Sequence, residues 1–226
     1  MGIKETAKAL AEIGFGEVYL FSKTEKQAPK RKKEEQKVQD KETLLQEHFS
    51  SFKECTKCPL HRSRSQVVFG DGNPDSPVVF VGEAPGEEED VQGRPFVGRA
   101  GRYLNQKIAE VLGLKREEVY ITNVCKCRPP ENRKPTSQEI RACFPYLRKE
   151  LEIIKPKVIC CLGATAGEGI IGKSMSITKV RGKVFPYPYN PKIKVFLTYH
   201  PAYILRNPKA EGEFVEDLKK LKDLIA

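Results

Sequence analysis

From residue 76 onward the apolar positions fall into a regular pattern. Four short, nearly continuous apolar runs recur: Val78–Val81, Val119–Thr122, Val158–Leu162 and Val195–Thr198. Segments of helix length separate them. Such runs are what strands buried on both faces of a parallel sheet require. The segments between and after them predict helices over Arg99–Leu112, Ser137–Ile154, Ala164–Ile171 and Glu211–Ile225. Thr136 or Ser137 is placed to cap the second helix, with Glu139 and Ile140 in its first turn. Strands alternating with helices predict an α/β three-layer fold with right-handed crossovers.

The chain before residue 76 reads differently. Residues 22–41 are almost all Lys, Glu, Gln and Ser, with too little apolar surface to offset ordering entropy, and predict a linker. Ahead of it, Ala7 to Phe21 carries Leu10, Ile13, Phe15, Val18, Leu20 and Phe21, enough for a short helix and strand. This segment is either an extension with no function of its own or a docking peptide for a partner. Residues 42–54 predict a helix leading into the first cysteines. The expected organisation is an N-terminal extension over 1–48 and one domain over 49–226.

In open parallel sheets, ligands bind beyond the carboxyl ends of the strands. The residues just past the four runs are Gly82-Glu83-Ala84-Pro85-Gly86, Asn123, Gly163 and Tyr199-His200-Pro201. A Gly/Pro turn, an amide, a glycine and a histidine are thereby expected on one rim.

Composition narrows the function classes. The 226 residues carry a formal net charge of +10, from 40 Lys or Arg against 30 Asp or Glu. No apolar run approaches the ~20 residues of a membrane helix, and the N-terminus lacks a secretory pattern. The expected location is the cytoplasm, with no membrane partner. A basic chain favours a polyanionic partner, nucleic acid ahead of an anionic membrane. The run Lys30-Arg31-Lys32-Lys33 is not the source of the excess, because acidic residues nearly cancel it within 1–48. Residues 128–209 hold 16 basic and 5 acidic residues, a net +11.

Seven cysteines are present: Cys55, Cys58, Cys125, Cys127, Cys143, Cys160 and Cys161. Disulfides are disfavoured in the cytoplasm, which leaves metal binding, catalysis or burial. Cys55 and Cys58 form a C-x2-C pair that can reach one metal centre, and Cys127 and Cys143 can supply two more thiolates. Four thiolates suit structural zinc or an iron–sulfur cluster, and by spacing alone zinc is the commoner use of C-x2-C. Cys125 shares a face with Cys127 on an extended segment, so spacing leaves open which is the ligand. Cys160 and Cys161 fall in a core strand and predict inert packing.

Four motifs in order carry a resemblance. They are Gly82-Glu83-Ala84-Pro85-Gly86-Glu87-Glu88-Glu89-Asp90, Gly93-Arg94-Pro95-Phe96-Val97-Gly98, Lys126-Cys127-Arg128-Pro129-Pro130 and His200-Pro201-Ala202-Tyr203. From about Cys55 to Pro208 the chain resembles the family 4, thermostable iron–sulfur uracil-DNA glycosylases. The resemblance implies a three-layer αβα sandwich around a four-stranded parallel sheet. It also implies a [4Fe–4S] cluster on Cys55, Cys58, Cys127 and Cys143, which reverses the preference for zinc and leaves Cys125 a non-ligand.

The implied activity is monofunctional uracil excision from double- or single-stranded DNA in base excision repair, by a monomer. The target base must leave the stack before its glycosidic bond can be reached. By resemblance, Phe96 stacks on the base and Asn123 reads its edge, an amide offering both a donor and an acceptor. His200 stabilises the departing uracil anion at O2 with a ring N–H, which need not be charged. Ala84 and Gly86 fall at substrate-contacting positions. Ala84 stands where better-known uracil glycosylases carry an Asp, so Glu83 and Glu89 are the carboxylates for water or for the cationic sugar, with Asn132 also linked to catalysis. Tyr203-Ile204-Leu205-Arg206 is expected in the minor groove, with Tyr203, Leu205 and Arg206 against DNA. Arg181, Lys183 and Lys179 are expected on phosphates. The competing reading on the same fold is a trapping uracil-DNA binder, which is expected to carry an extra basic loop before the histidine motif; none is seen. The extension is expected to serve, if anything, a repair or replication partner.

Overall fold

The structure is a computed structural model that describes residues 40–226. The apolar segment 7–21 and nearly all of the charged linker therefore lie outside the described residues. The first described helix is α1, Lys41–Ser50, capped by Asp40, whose Oδ1 accepts from Thr43 N at 2.8 Å. It starts ahead of the expected 48/49 boundary. Its Leu45 is buried with Leu147 and Leu151 in one core, so the packed part of the chain already includes this helix.

The sheet contains the four expected parallel strands, β2 (Val78–Gly82), β3 (Tyr120–Asn123), β4 (Val158–Leu162) and β6 (Asn190–Thr198). Two antiparallel edge strands add to them, β1 (Asp71–Gly72) and β5 (Val184–Tyr187), so the sheet has six strands rather than four, in the order β1-β3-β2-β4-β6-β5. The edges escaped the pattern for physical reasons. β1 is two residues long, and β5 carries Pro186 and an exposed Val184, an edge composition.

Alternation along the strands divides two cores. Val79, Val81, Ile159, Cys161, Val195 and Leu197 face the layer that holds α1, α4 (Ser137–Ile154) and α5 (Ala164–Ile171). Val78, Phe80, Val158, Cys160 and Phe196 face the layer with α3 (Arg99–Lys107, continued by a wider turn to Leu112), α7 (Pro201–Arg206) and α8 (Glu211–Ile225). This is the expected αβα sandwich. Cys160 and Cys161 point to opposite faces, each 0% exposed, as inert packing requires. Helix α4 buries Ile140, Cys143, Leu147, Leu151 and Ile154, a stripe of helical period. Its start is a capping box in which Thr136 N donates to Glu139 Oε2 at 2.7 Å and Glu139 N donates to Thr136 Oγ1 at 3.2 Å. Two short helices complete the fold, α2 (Glu87–Gln92) and α6 (Ile177–Val180). Among the described residues no helix is long and apolar enough to cross a membrane.

Candidate functional site

The carboxyl ends of β2, β3, β4 and β6 open into a cavity of about 540 Å³. Glu83, Ala84, Gly86 and Glu89 line it from the loop after β2 and the start of α2. Phe96, Asn123, Asn132, His200, Tyr203 and Arg206 line it as well. Residues far apart in the chain thus meet at the switch region of the sheet, as strand topology requires.

Phe96 and Asn123 are set by close packing against Gly82. A Cβ on Gly82 would stand 2.4 Å from Asn123 Oδ1 and 2.6 Å from the Phe96 ring, so only glycine fits there. Phe96 itself adopts φ 56°, a conformation that favours glycine, and its ring lies 5.7 Å from the His200 ring. A strained residue held in place by its surroundings is a mark of a functional position. Asn123 is 2% exposed, and no described residue donates to its buried Oδ1. Leaving such an acceptor unpaired costs about 1–3 kcal/mol.

His200 caps α7. Its Nδ1 accepts from Ala202 N at 3.1 Å, which leaves the ring proton on Nε2. Burial pushes its pKa down to about 4, and the nearby charge of Arg206 adds to this. The ring is therefore neutral at physiological pH, and Nε2–H is its donor.

The two cavity carboxylates are in different states. Glu89 Oε1 accepts from Val97 N at 3.0 Å and Gly98 N at 2.8 Å, and Oε2 accepts from Gly86 N at 3.1 Å. It braces the first loop against the loop that carries Phe96. The Glu83 carboxylate takes no hydrogen bond from any described residue. Asn132 has φ 54°, and its Oδ1 accepts from Arg128 Nε at 2.9 Å.

A second pocket gathers Cys55, Cys58, Cys127 and Cys143. Three of these sulfurs accept hydrogen bonds, each at 3.2 Å: Cys127 from Arg64 Nη1, Cys55 from the Tyr146 hydroxyl and Cys143 from Lys126 N. Burial pushes the Cys127 thiol up to about 11, against the pull of Arg64. Cys125 lies outside the wall of this pocket and hydrogen-bonds the Cys143 sulfur, which holds Cys125 protonated. Among the described residues no three His, Cys, Asp or Glu side chains converge on the position of a single metal ion.

Some expected contacts are not brought to the cavity. Arg181 is turned inward: Nε and Nη2 donate to Asp217 at 2.9 and 2.7 Å, and Nη2 donates to Glu213 O at 2.6 Å. Its side chain is 16% exposed and serves as the cation of the buried Asp217. Lys183 and Lys179 do not line the cavity, nor does Leu205, on helix α7. Arg133 lines it and escaped the sequence reading. So did Arg64 and Tyr146 at the cysteines, since no spacing rule singles out a lone Arg or Tyr.

The sequence model of the uracil DNA glycosylase superfamily matches residues 69–222. A type-4 uracil-DNA glycosylase of Sulfurisphaera tokodaii is 51% identical over 75% of this chain and 80% of its own length. One of Thermotoga maritima is 50% identical over 82% of this chain and 96% of its own. One of Archaeoglobus fulgidus is 46% identical over 75% of this chain and 87% of its own. With that cavity at the strand ends and these matches across most of the chain, the chain belongs to the uracil DNA glycosylase superfamily and, within it, to the type-4 uracil-DNA glycosylases.

Proposed function

We propose that the chain removes uracil from DNA by hydrolysing its N-glycosidic bond, leaving an abasic site. The observation that carries this reading is the buried, undonated Oδ1 of Asn123 beside Phe96 and His200. Uracil N3–H donates to that oxygen, and the Asn123 amide donates to O4. Cytosine offers an acceptor at N3 and leaves Oδ1 unpaired, which sets the discrimination.

The base enters by flipping and lies against Phe96. Tyr203 and Arg206, on α7 at the cavity wall, stand on the DNA side. The C1′–N1 bond breaks with its electron pair passing to uracil, whose developing charge at O2 is met by His200 Nε2–H. The sugar becomes oxocarbenium-like, and the unpaired Glu83 carboxylate stabilises it and orients the water. The water oxygen bonds to C1′, and the water's proton ends on the released uracil. Glu89, with its oxygens committed to three backbone amides, fixes the two loops rather than meeting the sugar. Among the described residues no lysine lines the cavity, which supports a monofunctional enzyme without Schiff-base strand cleavage.

Cys55, Cys58, Cys127 and Cys143 are read as the ligands of a [4Fe–4S] cluster. The donor set fits: four sulfurs on one pocket, three already met by N–H or O–H donors that favour thiolates. Ligands drawn from Cys55, Cys58, Cys127 and Cys143 would tie the Cys55–Cys58 segment to the segment that leads to Asn132. The N-terminal extension is read as a docking segment for a repair or replication partner. A truncation that tests it ends at residue 39, because Leu45 is buried.

The test is an oligonucleotide with one uracil, incubated with the protein and then treated with alkali. Cleavage at the uracil only after alkali is the expected result. An intact strand overturns the activity, and cleavage before alkali overturns the monofunctional mechanism.

A further inference from the structure

Arg64 lies outside the substrate cavity and is not one of the four cysteines, yet it touches both halves of the cysteine set. Its Nη1 donates to Cys55 O at 2.7 Å and to Cys127 Sγ at 3.2 Å. Cys55 and Cys127 come from distant segments, one following α1 and the other following β3. One guanidinium nitrogen therefore ties the first ligand segment to the second. The guanidinium is planar, permanently charged and rigid in its donor geometry, which suits it to hold a thiolate in place. Its bond to sulfur is charge-assisted and among the stronger kind.

Tyr146 plays a neutral version of the same part. Its hydroxyl donates to Cys55 Sγ at 3.2 Å, and its ring stacks on Phe52 at 4.1 Å, which fixes its position. The chain that leaves Cys127 continues into Arg128, which holds the Asn132 side chain at 2.9 Å in the cavity wall.

We propose that Arg64 is the positioning residue of the cysteine pocket. It joins the two ligand segments and stabilises the Cys127 thiolate, so that the cluster is retained, while Tyr146 supports Cys55 more weakly. This rests on the reading of the four cysteines as cluster ligands. Outer partners that fix and tune metal ligands in this way govern affinity as well as electronic properties.

The test uses the full chain, purified without oxygen, as wild type, Arg64→Met, Arg64→Lys and Tyr146→Phe. Iron and sulfide per chain, the rate at which an iron chelator bleaches the visible absorption in air, and the reduction potential are measured. Arg64→Met is expected to bleach about tenfold faster or more, as for loss of a charged hydrogen bond, and Tyr146→Phe about threefold faster. Arg64→Lys keeps the charge but not the fork and falls between wild type and Arg64→Met. The potential of Arg64→Met moves to more negative values, because the reduced, more anionic cluster loses a cation and a donor. A residue that only supported the fold would change occupancy and leave the potential of the remaining clusters where it was. If Arg64→Met does not fold, Arg64→Lys and Tyr146→Phe carry the test. Wild-type rates and potential in the folded variants overturn the proposal and leave the cluster reading standing. A wild type without iron and sulfide overturns both.

Discussion

In the substrate cavity the important polar atoms are left without partners among the described residues, whereas in the cysteine pocket most of them are already engaged. Asn123 Oδ1 receives no donor from the described residues. Among the described residues the Glu83 carboxylate is unpaired, and His200 uses Nδ1 on its own helix while Nε2–H stays available. Around the cysteines, Arg64, Tyr146 and Lys126 N already donate to three sulfurs. On the proposed reading of the two sites, the difference is one of residence time. A base that enters and leaves must find hydrogen-bonding capacity not already taken up by the protein. A group held permanently is better served by donors that fix its ligands in advance. Glu89 shows the two styles side by side, since it lines the cavity but spends its oxygens on the loops around it.

The engaged side of this contrast is the easier to break by folding. Lys126, between Cys125 and Cys127, forms a buried ion pair with Glu150, the two side chains being 1% and 0% exposed. Glu150 also accepts from Gly70 N at 3.2 Å and from Thr122 Oγ1 at 3.1 Å. Lys126→Met strands the carboxylate charge in the core, and its expected cost is about 3–5 kcal/mol of stability. The double variant Lys126→Met with Glu150→Leu is expected to recover much of that, because both charges are gone. Chemical denaturation of the three proteins checks this. An undiminished loss in the double variant would place the effect in packing rather than in charge.

The open side breaks in activity instead. His200→Ala is expected to lower kcat by about 10²–10³-fold, the usual effect of deleting one donor to a developing oxyanion. The fold should persist. The pH dependence sharpens the point. With a folded pKa of about 4, lowered by burial and by Arg206, His200 stays neutral through the physiological range. The wild-type rate should show no titration at the ordinary histidine value of 6.5, and an acid limb only near 4. The unfolded chain takes up the proton first, so His200 makes stability fall as pH drops from 6.5 towards 4. In His200→Ala that part of the slope disappears. A wild-type rate that halves as pH rises through 6.5 would mean a charged histidine and a different mechanism.

The parts of the molecule that were legible in the sequence are those where one residue type has one physical use. The parallel strands were readable because burial on both faces forces a continuous apolar run. Helix α4 was readable to its ends because Thr136 and the Ile140–Ile154 stripe mark it. Asn123 and His200 were placed by strand-end topology, with the family motifs adding their roles. The edge strands were not readable, since a two-residue β1 and a Pro-containing β5 carry no such pattern. Arginine was the least legible residue. Arg64 and Arg181 look alike as sequence, and only three-dimensional partners show one on a sulfur and the other on Asp217.

That last distinction yields the smallest predicted effect, on salt dependence. Arg206 lines the cavity and makes no hydrogen bond or ion pair through its side chain among the described residues. Arg181 is bound to Asp217 on two nitrogens and lies over the Tyr199 ring at 5.6 Å. If Arg206 meets a phosphate, Arg206→Ala should reduce the slope of log binding constant against log salt by about one. Arg181→Met should leave that slope unchanged, because its guanidinium is not offered to DNA. It should instead lower stability, since the buried Asp217 loses its cation and, among the described residues, keeps Thr198 Oγ1, at 2.8 Å, as its donor. Binding measured on uracil-containing duplex across a salt series, together with melting of each variant, separates the two arginines. A flattened slope in Arg181→Met with unaltered melting would show that its ion pair opens on DNA, and the inward arginine would then belong to the binding face after all.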